Sequence, residues 1–344
     1  MKKEEWFVLK YYPEFSCKAD KCRNSCCSSW RIPVSRKEYN RLITMECSDD
    51  LNRRVQNAFI IPETVSDECF RYVSFNWLGQ CPIQDKGLCY LHREKGESYL
   101  PKICRLYPRS LKKINNVRIA SCSSSCERIV EMLYEEDALL MRSVQMDEEV
   151  QITIQANEDE IRQILLFQDL IKDKTTSLAQ SIADICVIIN HEEFDKDVNS
   201  DEDPLDAALK LLKRFSSSNS VLNQIADEVI ERYEKNRDLY EKDRTLFENR
   251  YTDWMGFFER VINNSMTYEC FPFVDPRADK TGVYKGLCVC YGLLRIICIG
   301  YCANRDRKED LIDAVSALFH LIDHTAFYYN MPLIVDNAAI FLKL

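Results

Sequence analysis

Cys17-x4-Cys22-x3-Cys26-Cys27, Cys81-Pro82-x6-Cys89 with Cys104 beyond it, and Cys122-x3-Cys126 put nine of the chain's 17 cysteines into three groups between residues 17 and 126. Several thiolates that converge within a few ångströms bind a metal, and short loops between them lower the ordering cost. Cys22 and Cys26 share a face if that segment is helical, as do Cys122 and Cys126. Cys26 and Cys27 are adjacent, so their side chains diverge. The candidate ligands are Cys17, Cys22, Cys26, Cys27, Cys81, Cys89, Cys104 and Cys122. Four thiolates suffice for zinc or for a [4Fe–4S] cluster. One cluster with spare thiols and two separate sites are both open. Isolated cysteines usually pack as small apolar groups, which is the reading for Cys47, Cys69 and the six cysteines beyond residue 128.

Lys18, Lys21, Arg23, Lys102, Arg105 and Arg109 lie among the clustered cysteines. Cations there lower thiol pKa and offset thiolate charge. Arg109, after Tyr107-Pro108, is the candidate for holding an anionic group of a bound cofactor. Residues 1–127 carry 22 Lys and Arg against 15 Asp and Glu, and the remainder carries 24 against 40. The net charge of −9 disfavours nucleic-acid binding, which rests on neutralising phosphates.

Other chemistries lack their residues. With 8 glycines and no Gly-x-Gly-x-x-Gly, the chain has no dinucleotide or phosphate turn. The Cys-x3-Cys-x2-Cys pattern of radical S-adenosylmethionine enzymes is broken at Ser29, Ile129 and Arg305. No long uncharged apolar run indicates a membrane span, since Gly286 to Ala303 contains Arg295. The first residues lack a signal-peptide pattern. A cytoplasmic setting is expected, where cysteine clusters serve metals more often than disulfides.

The elements that must position these groups differ along the chain. The first part is irregular, with extended runs at Trp6 to Tyr12 and Val117 to Ala120, a hairpin turning at Asn115-Asn116, and a helix within Tyr39 to Phe59. Beyond Cys126, apolar residues recur at helical spacing over Ile129–Met141, Ile161–Ile171, Leu178–Ile189, Leu205–Phe215, Val221–Tyr233, Trp254–Ile262, Val283–Cys302 and Leu311–Tyr328. One further short strand is expected at Val150 to Ile154. The expected fold class is mainly α: an irregular Cys-rich metal-binding part with short strands over residues 1–127, followed by an α-helical domain over 128–344. Phe257, Phe258, Tyr268, Tyr284, Tyr291 and Tyr301 supply rings on those helices, and ordinary core packing is their first reading.

A family pattern lies on the same residues. Phe15-Ser16-Cys17, Cys26-Cys27-x2-Trp30-x-Ile32, Cys81-Pro82-x4-Gly87-Leu88-Cys89, Gly96-Glu97, Leu100, Cys104-x2-Tyr107-Pro108-Arg109 and Ser121-Cys122 resemble the flagellin lysine-N-methylase (FliB-like) proteins. The cysteine core is similar to the wider group of zinc- or iron-chelating domains. Looser matches follow at Asn263-Asn264, Phe271-Pro272-Phe273 and Tyr284 to Ile299, and Ser123 stands where the pattern has proline. The resemblance implies transfer of methyl groups from S-adenosylmethionine to lysines of flagellin by an enzyme carrying an iron–sulfur cluster. The alternative is a non-catalytic zinc- or iron-binding module joined to a helical interaction domain.

Overall fold

A computed structural model describes residues 4–27, 32–76, 79–135, 141–156, 158–198, 202–216, 220–273 and 282–344. Trp30 of the sequence pattern and part of the serine-rich stretch after Ser216 lie outside the described residues. The structure is mainly α, with 58% helix and 12% strand. It forms two compact units: Ser16–Pro108, and Met1–Phe15 together with Arg109–Leu344. We call them the cysteine unit and the helical unit. The division therefore falls at Pro108, not after residue 127, and the first 15 residues belong with the helical unit.

The chain opens with β1 (Glu4–Leu9) and then enters the cysteine unit. There β2 (Pro33–Val34), β3 (Phe59–Ile60) and β4 (Arg71–Val73) form a small antiparallel sheet in the order β2-β4-β3. Helices α1 (Arg36–Thr44) and α2 (Asp49–Gln56) replace the single helix expected over Tyr39 to Phe59. Their caps explain the break. Ser35 and Glu38 form a reciprocal capping box on α1, and Ser48 accepts from the Leu51 amide to start α2. The hairpin β5 (Gln84–Asp85) and β6 (Leu88–Cys89), then α3 (Tyr90–Lys95) and α4 (Lys102–Leu106), complete the unit. Ile32, Val34, Leu42, Leu51, Val55, Val73 and Leu91 form its core, and Cys81, Cys89 and Cys104 pack against that core.

In the helical unit, β7 (Arg109–Ile114) and β8 (Val117–Cys122) form the expected hairpin. Asn115 takes φ of 50° at the turn, a conformation asparagine tolerates. β9 (Met141–Met146) and β10 (Ile152–Ile154) complete a five-stranded sheet in the order β10-β7-β8-β1-β9. β1 pairs in parallel with β8, Phe7 opposite Ile119, which is why residues 109–127 go with this unit. Trp6 and Val8 face inward while Phe7 between them is exposed, the alternation of a half-buried strand.

The remaining helices are α5 (Glu127–Glu135), α6 (Glu158–Lys172), α7 (Leu178–Val198), α8 (Pro204–Ser216), α9 (Ser220–Lys235), α10 (Leu239–Arg250), α11 (Trp254–Glu269), α12 (Tyr284–Cys302), α13 (Lys308–Ile322) and α14 (Phe327–Ile334). Two expectations change. Met141 begins a strand, so the helix expected to run to it ends earlier. The helix expected over Leu311 to Tyr328 is interrupted after Ile322.

α12 is the centre of the unit. Among the described residues it alone is long and apolar enough to cross a membrane, and 83% of that stretch is buried. Of its two cations, Lys285 and Arg295, the buried Arg295 donates to Glu248 at 2.7 Å and stacks over Trp254 at 4.2 Å. Close packing extends to the glycines. A Cβ on Gly286 would stand 2.7 Å from Tyr328 Cδ1 and 2.8 Å from its Cα. Alanine normally gains about 1 kcal/mol over glycine inside a helix. Overpacking against backbone costs about 1–3 kcal/mol. Gly286→Ala is therefore expected to lose stability, by about 1 kcal/mol net, as a lower urea midpoint at unchanged slope.

Candidate metal centre and buried polar site

Four thiols of the cysteine unit share one neighbourhood. Cys27 ends the described part of the first cysteine loop, and its carbonyl accepts from the Cys81 amide at 2.9 Å. Gln84 links the same loops from β5: its side chain donates to Ser25 Oγ at 2.7 Å, and it pairs with Cys89 across the hairpin. α4 brings Cys104. Three of them, Cys81, Cys89 and Cys104, are raised by neighbouring thiols. Desolvation first, and the negative charges of Cys27 and Cys89 after it, push Cys81 up to about 12. Burial raises Cys89 too, with Cys27 adding to it. Cys104 is raised well above the ordinary thiol range by burial and then by Cys27, Cys81 and Cys89 together. Cys27 goes the other way, down to about 7, because a hydrogen bond from Cys26 stabilises its thiolate. Sulfurs this close oppose one another's ionisation, and a bound cation removes that opposition. Cys27, Cys81, Cys89 and Cys104 therefore fit the donor set of a thiolate-held metal. No group of three or more metal-ligating side chains is pre-formed among the described residues.

The other sequence candidates stand differently. Cys26 is exposed beside Cys27. Cys17 is exposed, and its sulfur accepts from the Ala19 amide at 3.3 Å. Cys22 is half-buried at the end of a short turn, Ala19–Lys21. Cys122 belongs to the helical unit, buried at the end of β8, and burial raises its thiol far above the ordinary range. Arg109 also belongs to the helical unit. Its guanidinium lies over Phe15, 4.9 Å from the ring centre, and reaches the Phe15 carbonyl at 3.5 Å.

The helical unit has a polar site of its own, behind the serine turn that joins β8 to α5. Asn264 on α11 donates to the Cys122 carbonyl at 2.9 Å and to Ser124 Oγ at 2.8 Å. Tyr11 donates to Asn264 Oδ1 at 2.6 Å and accepts from the Cys122 amide at 3.0 Å. Asp323, in the break between α13 and α14, accepts from Ser123 Oγ at 2.6 Å. Burial, then the charge of Glu269, pushes its carboxyl up to about 8. Burial raises Glu269 as well. Burial holds His324 down to about 3 and His320 to about 4, so both rings are neutral. Of the aromatics singled out in the sequence, Phe257, Phe258, Tyr284 and Tyr291 are core, whereas Tyr268 is partly exposed and faces Asp323 electrostatically. A recess of about 360 Å³ between α8 and α9 is lined by Asp206, Lys213, Glu234 and Arg237, which are joined in surface ion pairs.

Sequence reasoning marked the Asn263-Asn264 pair but not its role, and it passed over Asp323. The available signal was an ionisable pair, Asp323-His324, inside an otherwise apolar helical run.

The family description "FliB lysine N-methylase C-terminal domain" matches residues 135–334. The chain belongs to this family. The FliB-type match covers α6 to α14 and takes in α11, Asp323 and His324. Curated relatives named lysine-N-methylase from Salmonella typhimurium and Salmonella choleraesuis are each 24% identical over 134 residues. The aligned stretch is 38% of this chain and 33% of each relative, so the chain spans about a third of the length of the curated relatives it matches. No solved structure matches.

Proposed function

We propose that the protein is a protein-lysine N-methyltransferase, taking methyl groups from S-adenosylmethionine and placing them on flagellin in the cytoplasm. Membership of the FliB lysine N-methylase family carries this reading. We place a [4Fe–4S] cluster, with zinc as the alternative, on Cys27, Cys81, Cys89 and Cys104. What supports it is the mutual influence of those four thiols within one unit. Bound by four thiolates, such a cluster supplies a cross-link between loops that otherwise share only a small apolar core. Arg109 is retained as the residue for the donor's carboxylate, with its planar guanidinium already fixed over Phe15.

The reaction sets demands that the chain's own residues must meet. A lysine ammonium has no lone pair, so a proton must leave it before nitrogen can bond to the methyl carbon. The nitrogen lone pair then forms the N–C bond while the C–S pair stays on the departing sulfur. Rings and carboxylates near the site stabilise the cationic partners, and the partly exposed Tyr268 with Asp323 and Glu269 offers both.

Anaerobically purified protein, incubated with flagellin and S-adenosylmethionine, is expected to add one CH2 of mass per transfer to lysine-containing peptides. Unmodified flagellin in the presence of protein with its metal intact would favour the non-catalytic module instead.

A further inference from the structure

Asp323 has more in its surroundings than a structural cap requires. Its Oδ2 accepts from Ser123 Oγ in the serine turn, whereas Oδ1 is shielded from solvent and has no hydrogen-bond partner among the described residues. Ser123 and Ser125 hydroxyls lie 2.5 Å apart, and Ser125 Oγ lies 2.8 Å from His324 Nε2. With the ring neutral and its proton on Nε2, this is a directed row of donors: His324 to Ser125, Ser125 to Ser123, Ser123 to Asp323. Such a row fixes the carboxyl plane and leaves one oxygen over. Buried polar atoms are nearly always paired, so an orphaned carboxylate oxygen beside a bonded one marks a place for a donor from outside the chain.

Glu269 on α11 is a second carboxyl beside Asp323, and Tyr11 after β1, Tyr268 on α11 and Cys290 on α12, each held neutral by burial, complete a surrounding without positive charge of their own. Lys112 acts on the neighbouring Glu269. It is turned to the Tyr268 carbonyl, and its Nζ lies 5.2 Å from that ring's centre. Asp323 itself keeps partial exposure, as do Tyr268 and Glu269. An N-capping role for α5 would account for Oδ2 and the serine hydroxyls. It does not account for Oδ1.

We infer that Asp323 is the catalytic residue that takes the proton from the substrate lysine, Oδ1 being the accepting atom and Ser123, Ser125 and His324 its positioning residues. This rests on the methyltransferase reading above and names the group that reading leaves open. The step balances simply. An N–H bond of the ammonium breaks, its electron pair stays on nitrogen, and the proton bonds to Oδ1. An ammonium and a carboxylate become an amine and a carboxylic acid, with no net charge in the site. A base is most effective when its pKa lies near the working pH, and burial with Glu269 holds this carboxyl near 8, against the pull of Ser123 and the Ser124 and Ser125 amides.

The test compares wild type, Asp323→Asn, Asp323→Glu and Ser123→Ala with flagellin and S-adenosylmethionine across pH. Wild type is expected to show an acid limb in kcat/KM near pH 8. Asp323→Asn should lose about a hundredfold or more in kcat, and the limb with it. Asp323→Glu should recover part of the rate. Ser123→Ala should move the limb to higher pH, because it removes a hydrogen bond that favours the charged form. Folding is checked separately. The folded pKa of Asp323 exceeds its unfolded value, so folding takes up a proton, and its contribution to stability falls as pH rises from about 4 towards 8. Asparagine lacks that penalty, so Asp323→Asn should melt no lower than wild type at pH 8. An active wild type whose folded Asp323→Asn variant keeps its kcat and pH profile overturns the assignment alone. A wild type that transfers no methyl group overturns the reading beneath it as well.

Discussion

Alanine at any one of Cys27, Cys81, Cys89 or Cys104 is expected to strip the cysteine unit of its metal, while Cys47→Ala and Cys69→Ala leave metal content unchanged. The contrast follows from where the thiols stand. Cys104 is held neutral by burial and by Cys27, Cys81 and Cys89, and Cys81, Cys89 and Cys104 pack against a small core. Cys69 lies in a turn held by Ser66, its amide donating to Ser66 Oγ at 2.9 Å. Structural zinc sites contribute about 10–16 kcal/mol of apparent binding free energy in total. A quarter of that, about 3 kcal/mol per ligand, is already more than a hundredfold in affinity. The unit has little to replace it with. Its strands are two or three residues long, and its apolar core is small for 93 residues, Ser16 to Pro108. Loss of metal should therefore appear together with loss of structure in this unit, read as protease cleavage within residues 16–108 while the helical unit persists. Metal analysis of each variant against wild type checks the first part, and mapped limited proteolysis checks the second.

The second large effect is expected at Asn264. Its amide donates twice and accepts once, and all three partners are buried: the Cys122 carbonyl, Ser124 Oγ and the Tyr11 hydroxyl. Alanine removes the amide and leaves those partners without it in a site that admits little water. An unsatisfied buried polar group costs about 1–3 kcal/mol, so a total of about 3–5 kcal/mol is expected. Urea unfolding of Asn264→Ala measures it. Tyr11→Phe removes one arm and should cost about 1–2 kcal/mol. The same bonds hold the serine turn against which Asp323 is set, so Asn264→Ala should also lose methyl transfer in protein that is still folded. Unchanged stability in Asn264→Ala would mean that the turn is held by something else.

The helical part of the fold was largely legible, and the reasons are physical. Apolar residues at 3.6-residue spacing located α6, α7, α8, α9, α11 and α12, because each buries one face or, for α12, its whole surface. The hairpin of β7 and β8 was legible from Asn115-Asn116, since few residues accept a positive φ. Interruptions were harder. The run from Leu311 to Tyr328 keeps its apolar period straight through residues 323–326, so the pattern concealed a break that tertiary packing imposes. α1 and α2 were merged for the opposite reason: their caps, Ser35 and Ser48, are polar residues that sit equally well on a solvated helix face. The unit boundary was missed because β1 and β8 lie more than a hundred residues apart, and parallel pairing leaves no local sequence mark.

The candidate site divides the same way. Cysteine spacing grouped Cys27, Cys81, Cys89 and Cys104, which the fold places in one unit, but it could not separate them from Cys17, Cys22 and Cys26, whose exposure depends on how the first loop turns. Cys122 shared the spacing pattern, yet β8 takes it into the helical unit. Asp323 carried no motif at all. Its interest comes from Ser123, two hundred positions earlier in the chain, and from a carboxylate oxygen that only the folded arrangement leaves without a partner.

The most direct measurement is the iron, acid-labile sulfide and zinc content of anaerobically purified wild-type protein, taken with the reactivity of its thiols. The account predicts one bound centre per chain, with Cys27, Cys81, Cys89 and Cys104 protected from alkylation until the metal is removed. A folded, metal-free chain in which those four cysteines alkylate as readily as Cys17 would contradict it.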